Sequence, residues 1–357
     1  MSDCGRGSVT RGCPGRSICA HPPSATRKQS MPDPTLSVII PAHNAEPFIA
    51  ETLLSLRCQD LRPEELEIVV VNDGSADATA EIAGDACRSV KHFQLIANEQ
   101  PSGVSAARNT GLRAAAGDYV TFLDADDWFA NGHLRVLLDA IIRLGVDFVR
   151  CDRILATGKN RQLNRAPVFR RNEALRTHDY IVHGWTQTMV DYPNPFTGVY
   201  AHRLADNGTL FFDESLYSAE DREWNWRLML EADSFAVIDA PGACYRRGVS
   251  DSLTAVYNET QLHFIPSCAK TIAQTRRYDN PAFTLKALHN LFALADIHLQ
   301  RRAEMPRNLY RRLVDGVAEA SVTATADELD EVFRSFRPER VRRLRPIMRR
   351  MEAKGEA

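Results

Sequence analysis

The chain has 357 residues, 44% hydrophobic and 25% charged, a length and balance that suit one large α/β-sized unit with an appendage better than three small domains. A net charge of -2 supplies no global field for nucleic acid, and no apolar run approaches the roughly 20 residues that cross a bilayer. Eight cysteines scattered over so long a chain, several in apolar or helical contexts, point to a reducing compartment rather than a disulfide framework.

Residues 1–34 have no hydrophobic period and many breakers, so a disordered tail is expected there. Within it Cys4, Cys13, Cys19 and His21 lack the paired C-x-x-C spacing of a zinc knuckle. The N-terminus also lacks the apolar core of a secretory signal, and a cytoplasmic location is expected.

From Leu36 onward strand-like and helix-like segments alternate. "LSVII", "LEIVVV", "FQLIA", "YVTFLDADD" and "DFVRCDRIL" are short apolar runs, separated by helical patterns in "AEPFIAETLLSLRCQ", "ADATAEIAGDACRSV", "SGVSAARNTGLRAAAG" and "NGHLRVLLDAIIRLG". Such alternation predicts an α/β fold with a mostly parallel, Rossmann-like central sheet flanked by helices. Between about residues 156 and 200 the rhythm weakens. A helix is expected near "RNEALRTHDYIVHG" and a loop at "DYPNPFTGVY", together forming a second wall over a cleft. The helix "SAEDREWNWRLMLEAD" and strand "SFAVID" lead into "YRRGVSDSLT", and beyond about Tyr257 the pattern is helical throughout. The expected organisation is therefore a tail (1–34), an α/β domain (35–255) and a helical C-terminal region (256–357).

In parallel sheets ligands gather at the carboxyl ends of the strands. Three strands end there in polar residues: His43 and Asn44 after Pro41, Asn72 and Asp73 in "VVVNDGSAD", and Asp124, Asp126 and Asp127 in "FLDADD". Each has an ordinary reading, since Asp73-Gly74 is a common turn, Asp77 suits a helix N-cap and Asp127 could be a loop acid. Their coincidence on one edge asks for more. Clustered carboxylates suit a hard divalent cation, Mg²⁺ or Mn²⁺, which completes its shell with water and phosphate.

Four blocks, "LSVIIPAHNAEPFIAETLLSLRCQ", "EIVVVNDGSADAT", "GVSAARNTGLRAAAGDYVTFLDADD" and "SAEDREWNWRL", in that order and spacing, resemble the inverting glycosyltransferases of family 2, which share the nucleotide-binding GT-A fold. The resemblance covers roughly residues 36–250. It implies that Pro41, Ala42, His43 and Glu46 line the nucleotide and that Asp73 contacts the base, usually uracil. Asp124, with Ala125 beside it, would reach the ribose or metal region. Asp126 would bind the divalent cation that bridges the diphosphate, and Asp127 would face the donor sugar. Arg108 would hold nucleotide or serve a structural pairing.

At "SAEDREWNWRL" the residues alone favour a helix cap, with Ser218 as N-cap and Asp221 three positions on. The resemblance instead makes Asp221 the general base and Glu220 its orienting neighbour. Trp224 and Leu228, one helical turn apart, suit the core. Many family members place a histidine in the segment corresponding to "YRRGVSDSLT", whereas this chain offers Arg246 and Arg247. Arg247 would then meet the diphosphate directly. Thr197 and Gly198 in "NPFTGVYAHR" would line the donor or acceptor, and Trp128 and Phe129 would anchor their loop in the core.

The activity so implied is metal-dependent transfer of a sugar, with inversion, from a nucleotide-sugar donor, usually a UDP-sugar. The acceptor would be a hydroxyl on a glycan, a lipid-linked precursor or another molecule in bacterial cell-surface polysaccharide synthesis. A sugar-nucleotide pyrophosphorylase would carry a Gly-rich basic loop after its first strand, which "PAHNAEPF" is not. A non-catalytic nucleotide-sugar sensor or scaffold would not need both "DADD" and Glu220-Asp221. The arginine-rich "RPERVRRLRPIMRRMEAKGEA" could rest on the inner face of the membrane or form a solvated face, with Pro338 and Pro346 expected to interrupt its helix.

Overall fold

The computed structural model describes residues 34–248 and 258–355. The N-terminal tail with its cysteines, and most of "GVSDSLT", lie outside them.

Four strands, β1 (Leu36–Ala42), β2 (Leu66–Asp73), β3 (His92–Asn98) and β4 (Tyr119–Phe122), pair in parallel in the order β3-β2-β1-β4. The helices between them, α1 (Ile49–Leu56), α2 (Thr79–Ala86) and α3 (Val104–Ala114), cover both faces. Val38 and Ile40 on β1 join one core cluster with α1, while Ile39 joins Leu112, Val120 and Phe122 in the other. Both faces of the strand are buried, which is why the sequence shows a continuous apolar run rather than alternation.

The order reverses between β1 and β4, and the sheet continues through strands of mixed direction. The path runs to β9 (Gly198–Ala201), β6 (Phe148–Thr157), β10 (Ser234–Arg247) and β5 (Trp128–Phe129), with β9 and β5 antiparallel to their neighbours and β10 parallel to β6. A hairpin strand, β7 (Asn160–Asn164), extends from β6. The helix α4 (His133–Leu144) packs against β10, and α5 (Glu220–Glu231) precedes that strand. The predicted mostly parallel sheet with flanking helices is therefore present, with an antiparallel insertion at β9 that the sequence pattern did not announce.

Two local expectations are corrected. "SFAVID" is only the first part of β10, which passes an irregularity between Ile238 and Ala243 and runs on to Arg247. Gly242 sits in that irregularity because a Cβ there would stand 2.4 Å from the His133 ring. The helix expected near "RNEALRTHDYIVHG" is absent. A two-residue strand, β8 (Leu175–Arg176), pairs with the start of β10 and is followed by a single 3₁₀ turn at Thr177–Tyr180. Tertiary hydrogen bonds override the helical pattern: the Asn172 N–H donates to the Val237 carbonyl at 2.9 Å and the Thr177 hydroxyl to that of Ala232 at 2.5 Å.

The C-terminal region consists of α6 (Phe264–Thr275), α7 (Pro281–Gln300), α8 (Arg307–Ala320), α9 (Ala326–Ser335) and α10 (Pro338–Gly355). It docks through α6 against α5 and through buried Lys286, whose ammonium reaches Asp191 at 2.7 Å and the Thr186 carbonyl at 3.0 Å. The helix α10 is not interrupted by its prolines. Pro338 occupies the opening position, where a missing N–H costs nothing, and Pro346 lies within the helix. Buried Leu344 and Ile347 hold this stretch, and the fully buried Asp296 carboxylate accepts hydrogen bonds from Arg340 at 3.0 Å and Arg343 at 2.6 Å. Arg342 and Arg350 pair with Glu339 and Asp315, so much of the basic charge of α10 is used internally. Among the described residues no helix is long and apolar enough to cross a membrane.

Candidate active site

The carboxyl edge of β3-β2-β1 is a lattice of mutual hydrogen bonds. His43 Nδ1–H donates to the Asp73 carbonyl at 2.7 Å while Nε2 accepts from Asn44 at 3.1 Å, an arrangement that fixes the imidazole tautomer. Glu46 receives the Ala78 N–H at 3.0 Å and gives its own N–H to Asp77 at 3.1 Å. Asp77 also accepts the Thr79 N–H at 3.1 Å, but it is not the N-cap the sequence suggested: Ala78 holds that position and Asp77 stands one residue before it. Pro41 and Ala42 are buried at the end of β1.

Asp73 is buried, and its carboxylate receives Asn98 Nδ2 at 2.8 Å, the Ser102 hydroxyl at 2.7 Å and N–H groups of Ser102 and Gly103 at 2.8–3.0 Å. Burial alone would push its pKa up, but these hydrogen bonds hold it below the ordinary value. With both oxygens engaged, Asp73 pins the loop before α3 at the edge of the cleft. Gly103 closes that loop at φ 94, a conformation that glycine adopts without strain.

Arg108 on α3 joins two parts of the site. Its guanidinium is buried, lies 4.9 Å from the Phe212 ring centre, and forks between Asp124 at 2.7 Å and Glu220 at 2.9 Å. Desolvation disfavours its charge, but the two carboxylates outweigh that and its pKa rises. The sequence left nucleotide contact and structural pairing open for Arg108. In the structure its fork is occupied by protein carboxylates.

The "DADD" turn after β4 concentrates negative charge. Asp127 N–H donates to the Asp124 carbonyl at 3.0 Å, and Thr52 Oγ1 lies 2.8 Å from the carbonyls of Ala125 and Asp127, so α1 holds the turn. Ala125 is itself buried. Asp127 is turned fully inward: one carboxylate oxygen accepts the Arg246 N–H at 2.7 Å, and the other is buried without a partner among the described residues. Burial and then the charges of Asp124 and Asp126 push the Asp127 pKa well above its usual value. Asp126 is raised too, by burial and then by Asp124. An orphaned buried oxygen within an overcharged carboxylate turn fits a divalent cation. The described residues contain no cluster of three or more His, Cys, Asp or Glu able to hold a metal alone. Such an ion would therefore rest on one or two carboxylates plus phosphate and water, the usual binding mode of Mg²⁺.

Asp221 stands in the first turn of α5. The Ser218 cap is not formed, since its hydroxyl donates to the Thr260 carbonyl at 2.5 Å and Ala219 takes the capping position with φ 57. A left-handed alanine is strained, and this one lies immediately before the Glu220-Asp221 pair. Burial, followed by repulsion from Glu220, raises the Asp221 pKa to about 7 despite Arg222 and Arg108. No ion pair or side-chain hydrogen bond of its carboxylate is found among the described residues, leaving a proton acceptor poised near neutrality. Trp224 and Leu228 are fully buried in the core, as the sequence indicated.

Several expected positions fall differently. Thr197 and Gly198 are buried: Thr197 bonds to Arg150 and to the Asn194 carbonyl, and a Cβ on Gly198 would stand 2.5 Å from the Val149 carbonyl. Phe129 is a core residue as expected, but Trp128 is only half-buried and lines a cleft of about 360 Å³ together with Phe48, Arg161, Arg246 and Arg247. Arg246 binds the Asp126 carbonyl at 2.7 Å and Glu51 at 2.8 Å, and its guanidinium stands 4.7 Å from the Trp128 ring centre. Arg247 lies exposed at the rim.

The sequence reading missed Arg153, Arg161 and Phe48. Arg153 is held by the side-chain oxygens of Asn164, at 3.0 Å, and Asn194, and stands 5.6 Å from the ring centres of Tyr192 and Tyr245. Its only signal was an arginine near the carboxyl end of the strand "DFVRCDRIL", where ligands collect.

With this geometry in view, residues 37–205 match the profile of Glycosyl transferase family 2. Those residues, just under half of the chain, form a family 2 glycosyltransferase region. The chain is 30% identical over 226 residues to the uncharacterized glycosyltransferase EpsJ of Bacillus subtilis, an alignment spanning 62% of this chain and 64% of EpsJ. Over 203 residues it is 30% identical to the poly(ribitol-phosphate) beta-N-acetylglucosaminyltransferase TarS of Staphylococcus aureus, spanning 57% of this chain and 34% of TarS. The chain thus spans less than two thirds of the length of these relatives. Crystal structures of S. aureus TarS 1–349 share the fold: the complex with UDP-GlcNAc superposes with a TM-score of 0.71 at 20% identity, and that with UDP with 0.69 at 21%, each covering 89% of both chains. The chain therefore has the GT-A fold, with 89% of it included in the superposition.

Proposed function

We propose that this chain is a metal-dependent inverting transferase that moves a sugar from a nucleotide-sugar, a UDP-sugar in our reading, to a hydroxyl of a cell-surface polymer or its precursor. The observation that carries this is the joining of "DADD" to the Glu220-Asp221 pair through Arg108, which sets a nucleotide-side carboxylate and a near-neutral base on one edge. The complexes of TarS with UDP and UDP-GlcNAc support the choice of donor.

In this mechanism the acceptor hydroxyl approaches Asp221, which takes its proton as the oxygen attacks the anomeric carbon opposite the departing nucleotide. General-base assistance of this kind is worth ~10²–10⁴-fold. A pKa near 7 keeps a useful fraction of Asp221 ionised at neutral pH without making the carboxylate too weak a base. Arg108 fixes the carboxylates of Glu220 and Asp124 in place through its two ion pairs. Asp126, with Asp127 behind it, would hold the divalent cation, which when bound neutralises charge on the leaving diphosphate as a Lewis acid. The lattice around His43, Glu46 and Asp73 would seat the nucleoside at the switch point between β1 and β4.

The test is a panel of UDP-, GDP- and dTDP-sugars with and without Mn²⁺, followed by thermal shift and by release of free nucleotide. The expected result is metal-dependent stabilisation by one nucleotide class together with turnover, since ligand binding stabilises the native state according to its affinity. Binding without turnover in the presence of a range of acceptors would instead favour a sensor.

A further inference from the structure

The sheet divides at its switch point. The nucleotide reading accounts for the edge of β3-β2-β1-β4 and gives Arg247 to the diphosphate, whereas the cleft at Trp128 is lined mainly by β5, β10 and the β6–β7 hairpin, with Phe48 before α1. That cleft is unusually rich in arginine. Arg246 is matched by Glu51, whereas Arg161 and Arg247 meet no carboxylate among the described residues. The Arg161 guanidinium is drawn back over the hairpin, donating to the carbonyls of Gly158 at 2.7 Å and Asn160 at 2.9 Å, and lies 5.5 Å from the Trp128 ring centre. Two positive charges therefore face a cleft of about 360 Å³ with an aromatic wall.

Arg153, also without a carboxylate partner among the described residues, lies close enough to both Asp221 and Arg247 to feel their charges. A molecule in the cleft could therefore extend past Arg247 and Arg153 and present a hydroxyl to Asp221. Unmatched guanidinium groups are costly to gather unless an anion completes them, and the planar fork suits phosphate and carboxylate alike.

We propose that the cleft between Trp128 and Arg161 is an acceptor subsite that recognises an anionic group, a phosphodiester or a carboxylate, one or more units away from the hydroxyl being glycosylated. This rests on the transferase reading above and adds a substrate class to it: the acceptor is a charged polymer, and Arg161 is a specificity-determining residue.

The experiment titrates the full chain, with Mn²⁺ and UDP present, with three oligomers of similar length: a ribitol-phosphate oligomer, a hexuronate oligomer and a neutral glucan. One of the anionic oligomers is expected to bind at least about tenfold more tightly than the glucan, and which one identifies the anion. Arg161→Gln should weaken that oligomer by about tenfold, the scale of one charge-assisted hydrogen bond. Arg170→Gln, a change on an exposed loop outside the cleft, should not. If Arg161→Gln disturbs the hairpin, Arg161→Lys, which keeps the charge without the fork, takes its place and is expected to retain more affinity for the anionic oligomer than Arg161→Gln. Equal binding of charged and neutral oligomers, or native affinity in Arg161→Gln, would overturn the proposal. So would a parallel loss of UDP affinity in Arg161→Gln, which would assign that arginine to the donor. Nucleotide release is followed separately. Oligomer binding without sugar transfer would sink the transferase reading while leaving an anion site, whereas transfer to a neutral glucan alone would sink the subsite and leave the transferase.

Discussion

The two halves of the sheet edge manage polar groups in opposite ways. On β1, β2 and β3 most polar groups at this edge are paired, with the buried Asn72 Oδ1 an exception: His43 binds the Asp73 carbonyl, Glu46 the Ala78 N–H, Asp73 the N–H groups of Ser102 and Gly103, and Asp77 those of Glu46 and Thr79, so the loops are pinned before any ligand arrives. From β4 onward several groups have no direct partner of this kind among the described residues: one Asp127 oxygen has no hydrogen bond, the Asp221 carboxylate no ion pair, and Arg153 and Arg161 no carboxylate. A ligand that binds the first half meets a preformed cradle. A ligand that binds the second completes charges the protein has left open, so its binding should be more strongly coupled to metal, pH and salt.

The sharpest way to break this comparison is at the base. Asp221→Asn should lower transfer by ~10²–10⁴-fold while the donor still shifts the melting temperature. Transfer at the native rate would mean that the unmatched carboxylate has another purpose.

Arg108 is the exception, a buried cation matched by two carboxylates at the border of the halves. Arg108→Met should cost about 3–5 kcal/mol by chemical denaturation, because Asp124 and Glu220 would be left without their counter-charge. A cost below about 1 kcal/mol would show that solvent relieves both acids and that the border is not stiff.

The pH dependence sharpens the contrast further. The rate should rise as pH passes through about 7, where Asp221 ionises, in kcat profiles with saturating donor and acceptor. Stability runs the other way. Because the folded-state pKa of Asp221 lies above the ordinary aspartate value of 3.8, its contribution to stability falls as pH rises from about 4 to about 7 and is level outside that window. The Asp221→Asn protein should therefore melt with the native one near pH 4 and above it at pH 8. A gap that closes toward alkaline pH would contradict the raised pKa.

The smallest effect concerns the strained entry to α5. Ala219→Gly should stabilise the fold by about 1 kcal/mol by relieving the left-handed alanine, read as a rise in melting temperature. Loss of activity alongside the gain would show that the strain serves to aim Asp221.

Much of this was legible in the amino-acid order. The apolar runs of β1, β2 and β4 are buried on both faces, so their strand character showed without context, and the acids that end β4 followed directly. The helix expected at Arg171–Gly184 failed because hydrogen bonds to Ala232, Asp233 and Val237, some 55 or more residues away, decide that backbone. β10 was truncated for a similar reason, since "APG" looks like a stop until His133 is seen to occupy the space a side chain would need.

The sequence by itself determined the alternation of strands and helices, the parallel sheet, and which carboxylates reach its edge, because these follow from local periodicity and chain order. Tertiary structure alone decided that Ser218 would not cap α5, that Asp127 would turn inward, that Arg108 would bridge two acids 96 residues apart, Asp124 and Glu220, and that Trp128 would wall a cleft instead of filling the core. Those outcomes depend on which distant groups share a small, poorly solvated volume. Pairing, burial and repulsion in such a volume are properties of three-dimensional neighbours, and neighbours across the sheet carry no signature in sequence spacing.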